Sequence, residues 1–173
     1  MSLIANPNDV MREPPSGRFV LITSILAYLI YLLPTDGVLM YVRAELPLIV
    51  LLYWCMHQPK HGGFAIGFAL GLLVDVADGN ILGQHALSYT LAVFLTLVLR
   101  RRILKFKLWQ QALHILAILL ANQLLVVLTH LFLPSTFPGW SYFLASFVGA
   151  LLWPVIVVAL EYPQLLATRT HHD

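Results

Sequence analysis

RRRILKFKLWQQALHILAILLANQLLVVLTHLFL, residues 100–133, decides the fold. Its first eight residues hold five positive charges, Arg100, Arg101, Arg102, Lys105 and Lys107. The 26 that follow, 108–133, hold no Asp, Glu, Lys or Arg. About 20 apolar residues in a helix cross the hydrocarbon core of a bilayer. A basic cluster beside such a run marks the cytoplasmic face. The stretch therefore reads as a transmembrane helix entered from the cytoplasm.

The rest of the chain repeats the pattern. Hydrophobic residues make up 60% of the 173 and charged residues 10%. Mean hydropathy is +0.83. Soluble domains need about 25% charged residues to cover their surfaces; lipid removes that need, because the outside can be as apolar as the core. Further apolar runs lie at 19–33, 38–56, 64–76, 81–99 and 140–160, separated by Pro34-Thr35-Asp36-Gly37, the 57–63 segment, Asp78-Gly79-Asn80 and Pro134 to Gly139. The second run is weak: Arg43, Glu45 and Pro47 interrupt it, and its clean part, 46–56, has 11 residues. It reads as a short helix extended by 38–45, or as a re-entrant element packed against its neighbours.

Six crossings with the N-terminus in the cytoplasm put nine of the ten Lys and Arg on the cytoplasmic side, leaving Arg43 outside. The opposite orientation reverses this, and five crossings divide the charges less well. Tyr28, Tyr31, Tyr53, Trp54, Trp109, Trp140 and Tyr142 lie near run ends, where amphipathic rings favour the headgroup level. The expected fold is an all-α integral membrane protein. It is a compact bundle of six transmembrane helices with the second short or interrupted and both termini cytoplasmic. Residues 1–18 form a flexible polar arm, 19–162 the transmembrane domain and 163–173 a cytoplasmic tail. The first apolar run is expected to remain as a signal anchor, since no cleavage pattern follows it.

Gly63, Gly67 and Gly71 recur every four residues and fall along one helix face, which Asp75 continues. In lipid, such a stripe lets another backbone approach closely, whether from this chain or from a partner. Asp75 and Asp78 stand near the extracytoplasmic end of their helix. Ionisable groups there are functional candidates by default, with helix capping, partner contact and ion coupling as the possible roles. Gly79 and Gly83 permit the turn that follows. Gln110, Gln111, His114, Asn122, Gln123 and His130 stud the fifth run, as interhelical hydrogen-bonding groups or as the lining of a polar lumen.

The basic patch Arg100, Arg101, Arg102, Lys105 and Lys107 orients the chain, binds anionic lipids, or docks an acidic partner. It is too short for nucleic-acid binding. The histidines His57, His61, His85, His114 and His130 show no zinc-type spacing, so no metal or cofactor is expected. Cys55 stands alone in an apolar run and cannot form an intrachain disulfide. No hydrolase, nucleotide-binding or metalloprotease motif occurs.

The order and spacing of several short motifs resemble the MreD family, the rod shape-determining membrane proteins of bacteria. These are Leu51-Leu52-Tyr53-Trp54, the Gly67/Gly71/Asp75 series, Gly79 through Leu82-Gly83, Leu108-Trp109-Gln110-Gln111, and Leu151-Leu152-Trp153-Pro154. The resemblance covers about residues 43–160. One departure is that Arg43 is followed by Ala44, where the family often has proline; here the proline is Pro47. The resemblance implies a non-catalytic inner-membrane adaptor of the cell-elongation complex, contributing to cell shape and to lateral peptidoglycan synthesis. Its implied partners are MreC, MreB, RodA and a class B penicillin-binding transpeptidase, with membrane lipids around it. The family's fold is also similar to the substrate-binding subunits of energy-coupling-factor transporters. The alternative is therefore a small-molecule or lipid-binding membrane protein, with His85, Gln111, Asn122 and Asp75 lining its pocket.

Overall fold

A computed structural model describes residues 17–34, 37–60, 63–79, 81–132 and 140–169. The arm before Gly17, His61 and the end of the tail from Thr170 lie outside these residues. The described chain is all-helical: α1 (Gly17–Tyr31), α2 (Val38–His57), α3 (Phe64–Asp78), α4 (Gln84–Ile103), α5 (Leu108–Phe132), a 3₁₀ turn (Trp140–Phe143) and α6 (Leu144–Arg169). Two stretches are long and apolar enough to cross a membrane by length and composition, Leu108–Thr129 and Trp140–Gln164. The architecture is consistent with a helical membrane protein.

The bundle is built around α2. Every residue from Leu48 to Met56 is buried, because α1, α3, α4 and α6 all pack against this helix. Such a helix needs no amphipathic stripe, and its sequence has none: LIVLLYWCM is apolar on every face. Polar ties fix its register. The Trp54 indole N–H donates to Thr23 Oγ1 of α1 at 2.9 Å, Phe19 meets the same indole edge-on, and Arg100 Nε of α4 donates to the Met56 carbonyl. The last contact satisfies a carbonyl that the end of α2 leaves without a helical donor.

Enclosure also bears on the second run, which Arg43, Glu45 and Pro47 interrupt in sequence. It forms the short helix extended by 38–45 and is not interrupted: α2 runs unbroken for 20 residues with Pro47 inside it. Proline deletes one backbone rung, but packing on all sides holds the residues on either side in helical geometry. The shortness survives only in composition, since the apolar part is Glu45–His57. The sixth helix likewise outlasts its expected end at Glu161 and Pro163, continuing to Arg169. Beside Pro163, Gln164 Nε2 donates to the Leu160 carbonyl at 2.7 Å.

Helix ends alternate. The N-terminal part of α1 meets the C-terminal part of α2 through Thr23 and Trp54. The end of α4 meets the end of α2 through Arg100, and the second half of α6 approaches the same end through His57 and Glu161, 3.9 Å apart. The ends of α2, α4 and α6 therefore share one end of the bundle with the starts of α1 and α5. The α3–α4 turn lies at the other, beyond the far end of α4.

Leu52→Ala should destabilise the purified protein by about 2 kcal/mol or more, through lost dispersion contacts and a residual cavity. Leu26→Ala, on the exposed face of α1, should cost under about 1 kcal/mol. Unfolding of the two variants in one detergent checks the difference; equal losses would contradict a central α2.

Candidate functional site

The small-residue series of α3 faces α4 from Gly67 to Asp75. A Cβ at Gly67 would lie 2.9 Å from a Val93 methyl and 3.7 Å from the Tyr89 carbonyl. At Gly71 it would lie 2.5 Å from both the Ala86 nitrogen and the His85 carbonyl oxygen. The first neighbour is a side chain that can shift; the second pair is backbone that cannot. Gly71 thus brings the N-terminus of α4 into direct contact with α3. Gly63 stands clear of this seam, with only the Pro59 carbonyl at 3.9 Å.

That approach positions Asp75. Its side chain is fully buried (0% exposed), and its two oxygens collect the free N–H groups that open α4. Oδ2 accepts from Gly83 N at 2.8 Å and from Ala86 N at 3.4 Å. Oδ1 accepts from His85 N at 2.9 Å and lies 2.8 Å from His85 Nδ1. A carboxylate only accepts, so Nδ1 carries the proton of that bond. The arrangement is a helix N-cap supplied from a neighbouring helix rather than from the capping position. Gly83 occupies that position with φ +103°, and Gly79 ends α3 with φ +66°; both values lie in the left-handed region open to glycine. His85 in turn meets the Tyr89 ring edge-on, and Tyr28 OH of α1 donates to the Leu73 carbonyl at 2.9 Å. Asp78, the last residue of α3, makes no contact with this clasp among the hydrogen bonds and ion pairs described.

A second buried carboxyl was read in the sequence only as an interruption. Glu45 of α2 is 4% exposed. Its Oε1 accepts from Gln123 Nε2 of α5 at 2.7 Å, and the same amide donates to the Tyr142 carbonyl at 3.1 Å. Gly149 of α6 permits this: a Cβ there would meet Glu45 Cβ at 3.2 Å, Ile49 at 3.0 Å and Leu119 at 2.9 Å. One carboxamide thus ties α2, α5 and the turn before α6. The partners stand 78 residues apart in sequence, so no local spacing could pair them.

Among the polar residues of α5, Gln111 makes a further tie between helices, while Gln110 and His114 bond locally. Gln111 Nε2 donates to the Phe106 carbonyl at 3.0 Å, and Gln111 Oε1 accepts from the Trp153 indole at 3.4 Å. Gln110 Oε1 accepts from Lys107 N at 3.3 Å. Asn122 is buried; the His130 side chain lies outside the described set. His85 and Asp75 bind each other at the far end of α4, whereas Gln111 stands at the start of α5 beside the near end of α4. The groups proposed for a solute pocket therefore do not converge, and Trp54, Trp153 and Tyr53 fill the interior. No group of three or more His, Cys, Asp or Glu able to hold a metal occurs among the described residues. The basic residues gather at the α4–α5 turn: Arg101, Arg102, Lys105 and Lys107 are exposed, and Arg100 is half-buried against α2.

A family model described as rod shape-determining protein MreD matches residues 15–162. The chain belongs to the MreD family. It is 28% identical over 141 residues to the rod shape-determining protein MreD of Haemophilus influenzae, covering 79% of this chain and 85% of that protein. No solved structure matches it. Membership ties this MreD-family chain to the determination of rod shape, in a family of shape proteins rather than of enzymes. The α3–α4 seam with its buried Asp75, the Glu45–Gln123 tie and the basic turn all fall within the matched span.

Gly71→Ala should destabilise the protein by about 3 kcal/mol or more, because backbone must move; Gly67→Ala should cost less, because Val93 can adjust. Asp75→Asn should cost about 2–4 kcal/mol by turning an amide toward backbone donors. His85→Ala should cost less, since the backbone N–H bonds to Asp75 remain. Thermal unfolding of the purified chain orders the four variants; Gly71→Ala no worse than Gly67→Ala would overturn the seam.

Proposed function

We propose that the chain is a non-catalytic adaptor of the bacterial inner membrane that helps to hold the cell-elongation complex together. In this reading it crosses the membrane six times with both termini in the cytoplasm. It binds MreC, stands beside MreB, RodA and a class B penicillin-binding transpeptidase, and so organises lateral peptidoglycan synthesis. The observation that carries the reading is the MreD match over residues 15–162. The geometry supports it: the buried carboxylates are engaged in bonds between helices, while much apolar surface on α1, α5 and α6 faces outward. That distribution suits a protein acting through its outer faces. The alternating helix ends and the nine of ten Lys and Arg at cytoplasmic positions support the orientation. The Asp75 clasp then lies at the extracytoplasmic side. There it sets the separation of α3 and α4, a rigid pair that a membrane partner can grip.

Reporter fusions and depletion test this reading. Alkaline phosphatase joined after Gly37 or Gly79 should be active, and joined after Lys60 or Leu104 inactive; the inverse pattern would refute the orientation. Depletion in a rod-shaped host should give rounded cells with dispersed wall insertion, and the tagged chain should copurify with MreC. Rods that persist with unchanged wall insertion would reject the adaptor role.

A further inference from the structure

Between α5 and α6, on the outside of the bundle, runs a groove of about 310 Å³. Its floor is made by small side chains, Ala112 and Ala150, both buried. Its walls are Leu113 and Leu116 on one side and Phe147 and Leu151 on the other. Trp109 stands at its mouth, 70% exposed, with Gln110 beside it. The groove exists because two helices meet across alanines while their longer neighbours project outward. It follows the first turns of α5, a length of about 10 Å at 1.5 Å per residue.

The mouth adjoins the basic turn. Lys107 directly precedes α5, Lys105 lies two residues before it, and Arg101 and Arg102 close the last turn of α4; all four are exposed. No carboxylate pairs with any of them among the described residues, and the sequence holds no Asp or Glu between Asp78 and Glu161. Apolar walls, an interfacial tryptophan and unneutralised cations thus follow one another along a single axis. An anionic phospholipid has the complementary order, with acyl chain, interfacial ester region and phosphate. A partner helix, about 10 Å across, would need a seam far longer than this groove, whose volume sits at the lower end of small-ligand sites.

We propose that this groove is a defined site for an anionic phospholipid, with an acyl chain between α5 and α6 and the phosphate held by Lys105 and Lys107. The proposal rests on the membrane reading above and narrows a general attraction for acidic lipid to one place. The bound lipid seals the α5–α6 face and anchors the α4–α5 turn at the headgroup level.

The full chain carrying Trp140→Phe, with Trp54 and Trp153 buried, reports through Trp109. It is reconstituted into phosphatidylcholine vesicles containing graded amounts of brominated phosphatidylglycerol or brominated phosphatidylcholine. The anionic lipid should reach half-maximal quenching at a clearly lower mole fraction. Lys105→Gln and Lys107→Gln, both at exposed positions, should each reduce that preference about fivefold at low salt. Ala150→Leu, which fills the floor, should weaken quenching by both lipids. Equal quenching by the two lipids, or a preference unchanged in the double lysine variant, would overturn the site. Trp109 shielded from both lipids would mean that a second copy or a protein partner fills the groove, and would overturn it equally. These outcomes are independent of the reporter-fusion pattern, so a wrong orientation and a wrong site give different failures.

Discussion

A helix buried on every side must satisfy its polar groups inside the protein, and α2 imposes that constraint on everything around it. Leu48 to Met56 are sequestered by four other helices, so each neighbour has to approach closely and at fixed height. Close approach is achieved with glycine: Gly149 of α6 lies against Glu45 and Ile49, and Gly67 of α3 lies 3.5 Å, measured from its ideal Cβ, from Leu51. Height is set by single hydrogen bonds of high cost when broken, Thr23 to Trp54, Gln123 to Glu45 and Arg100 to Met56. In an apolar surround, packing and such bonds replace the hydrophobic effect as the forces that hold helices together.

The α3–α4 pair follows the same logic at the other edge of the bundle. Gly71 removes a side chain so that backbone meets backbone, and Asp75 then caps a helix to which it does not belong. Neither residue works without the other. With a Cβ at position 71, the N–H groups of α4 would be pushed away from the carboxylate. Without the carboxylate, the backbone N–H groups of Gly83, His85 and Ala86, half-buried or buried, would lose their acceptor. This interdependence makes the pair a stiff unit, and stiffness suits a protein whose proposed work is to hold other membrane proteins in place.

Much of this was legible in one dimension. The apolar runs located all six helices, five of them to within a few residues, while the sixth continues nine residues past its run. Apolar length marks a helix, but charge and proline inside one do not mark its end. The Gly67, Gly71 and Asp75 series could be put on one face from its spacing alone. Whether that face met another part of the chain or a partner was open, because spacing gives a direction and not a neighbour. His85 stood among several scattered histidines and, in the alternative reading, beside Asp75, Gln111 and Asn122 in a solute pocket. Its pairing with Asp75 depends on the turn geometry at Gly79 and Gly83, which the spacing of ten residues does not disclose.

By itself, then, the sequence determined that the chain is helical, suited to a bilayer, and biased in its charges toward one face; each property is a sum over local composition. It also carried enough ordered motifs to reveal the MreD family. Only the tertiary structure decided that the weakest apolar run is the central helix. The reason is physical: Glu45 and Pro47 look unfit for lipid, but both are buried among other helices, and Gln123, 78 residues away, supplies the bond that Glu45 requires. The same holds for the stretch that begins with three arginines. Composition made α5 a membrane helix and its preceding turn basic, while the groove beside that turn arises from where Ala112 meets Ala150, a contact between two helices that neither encodes alone.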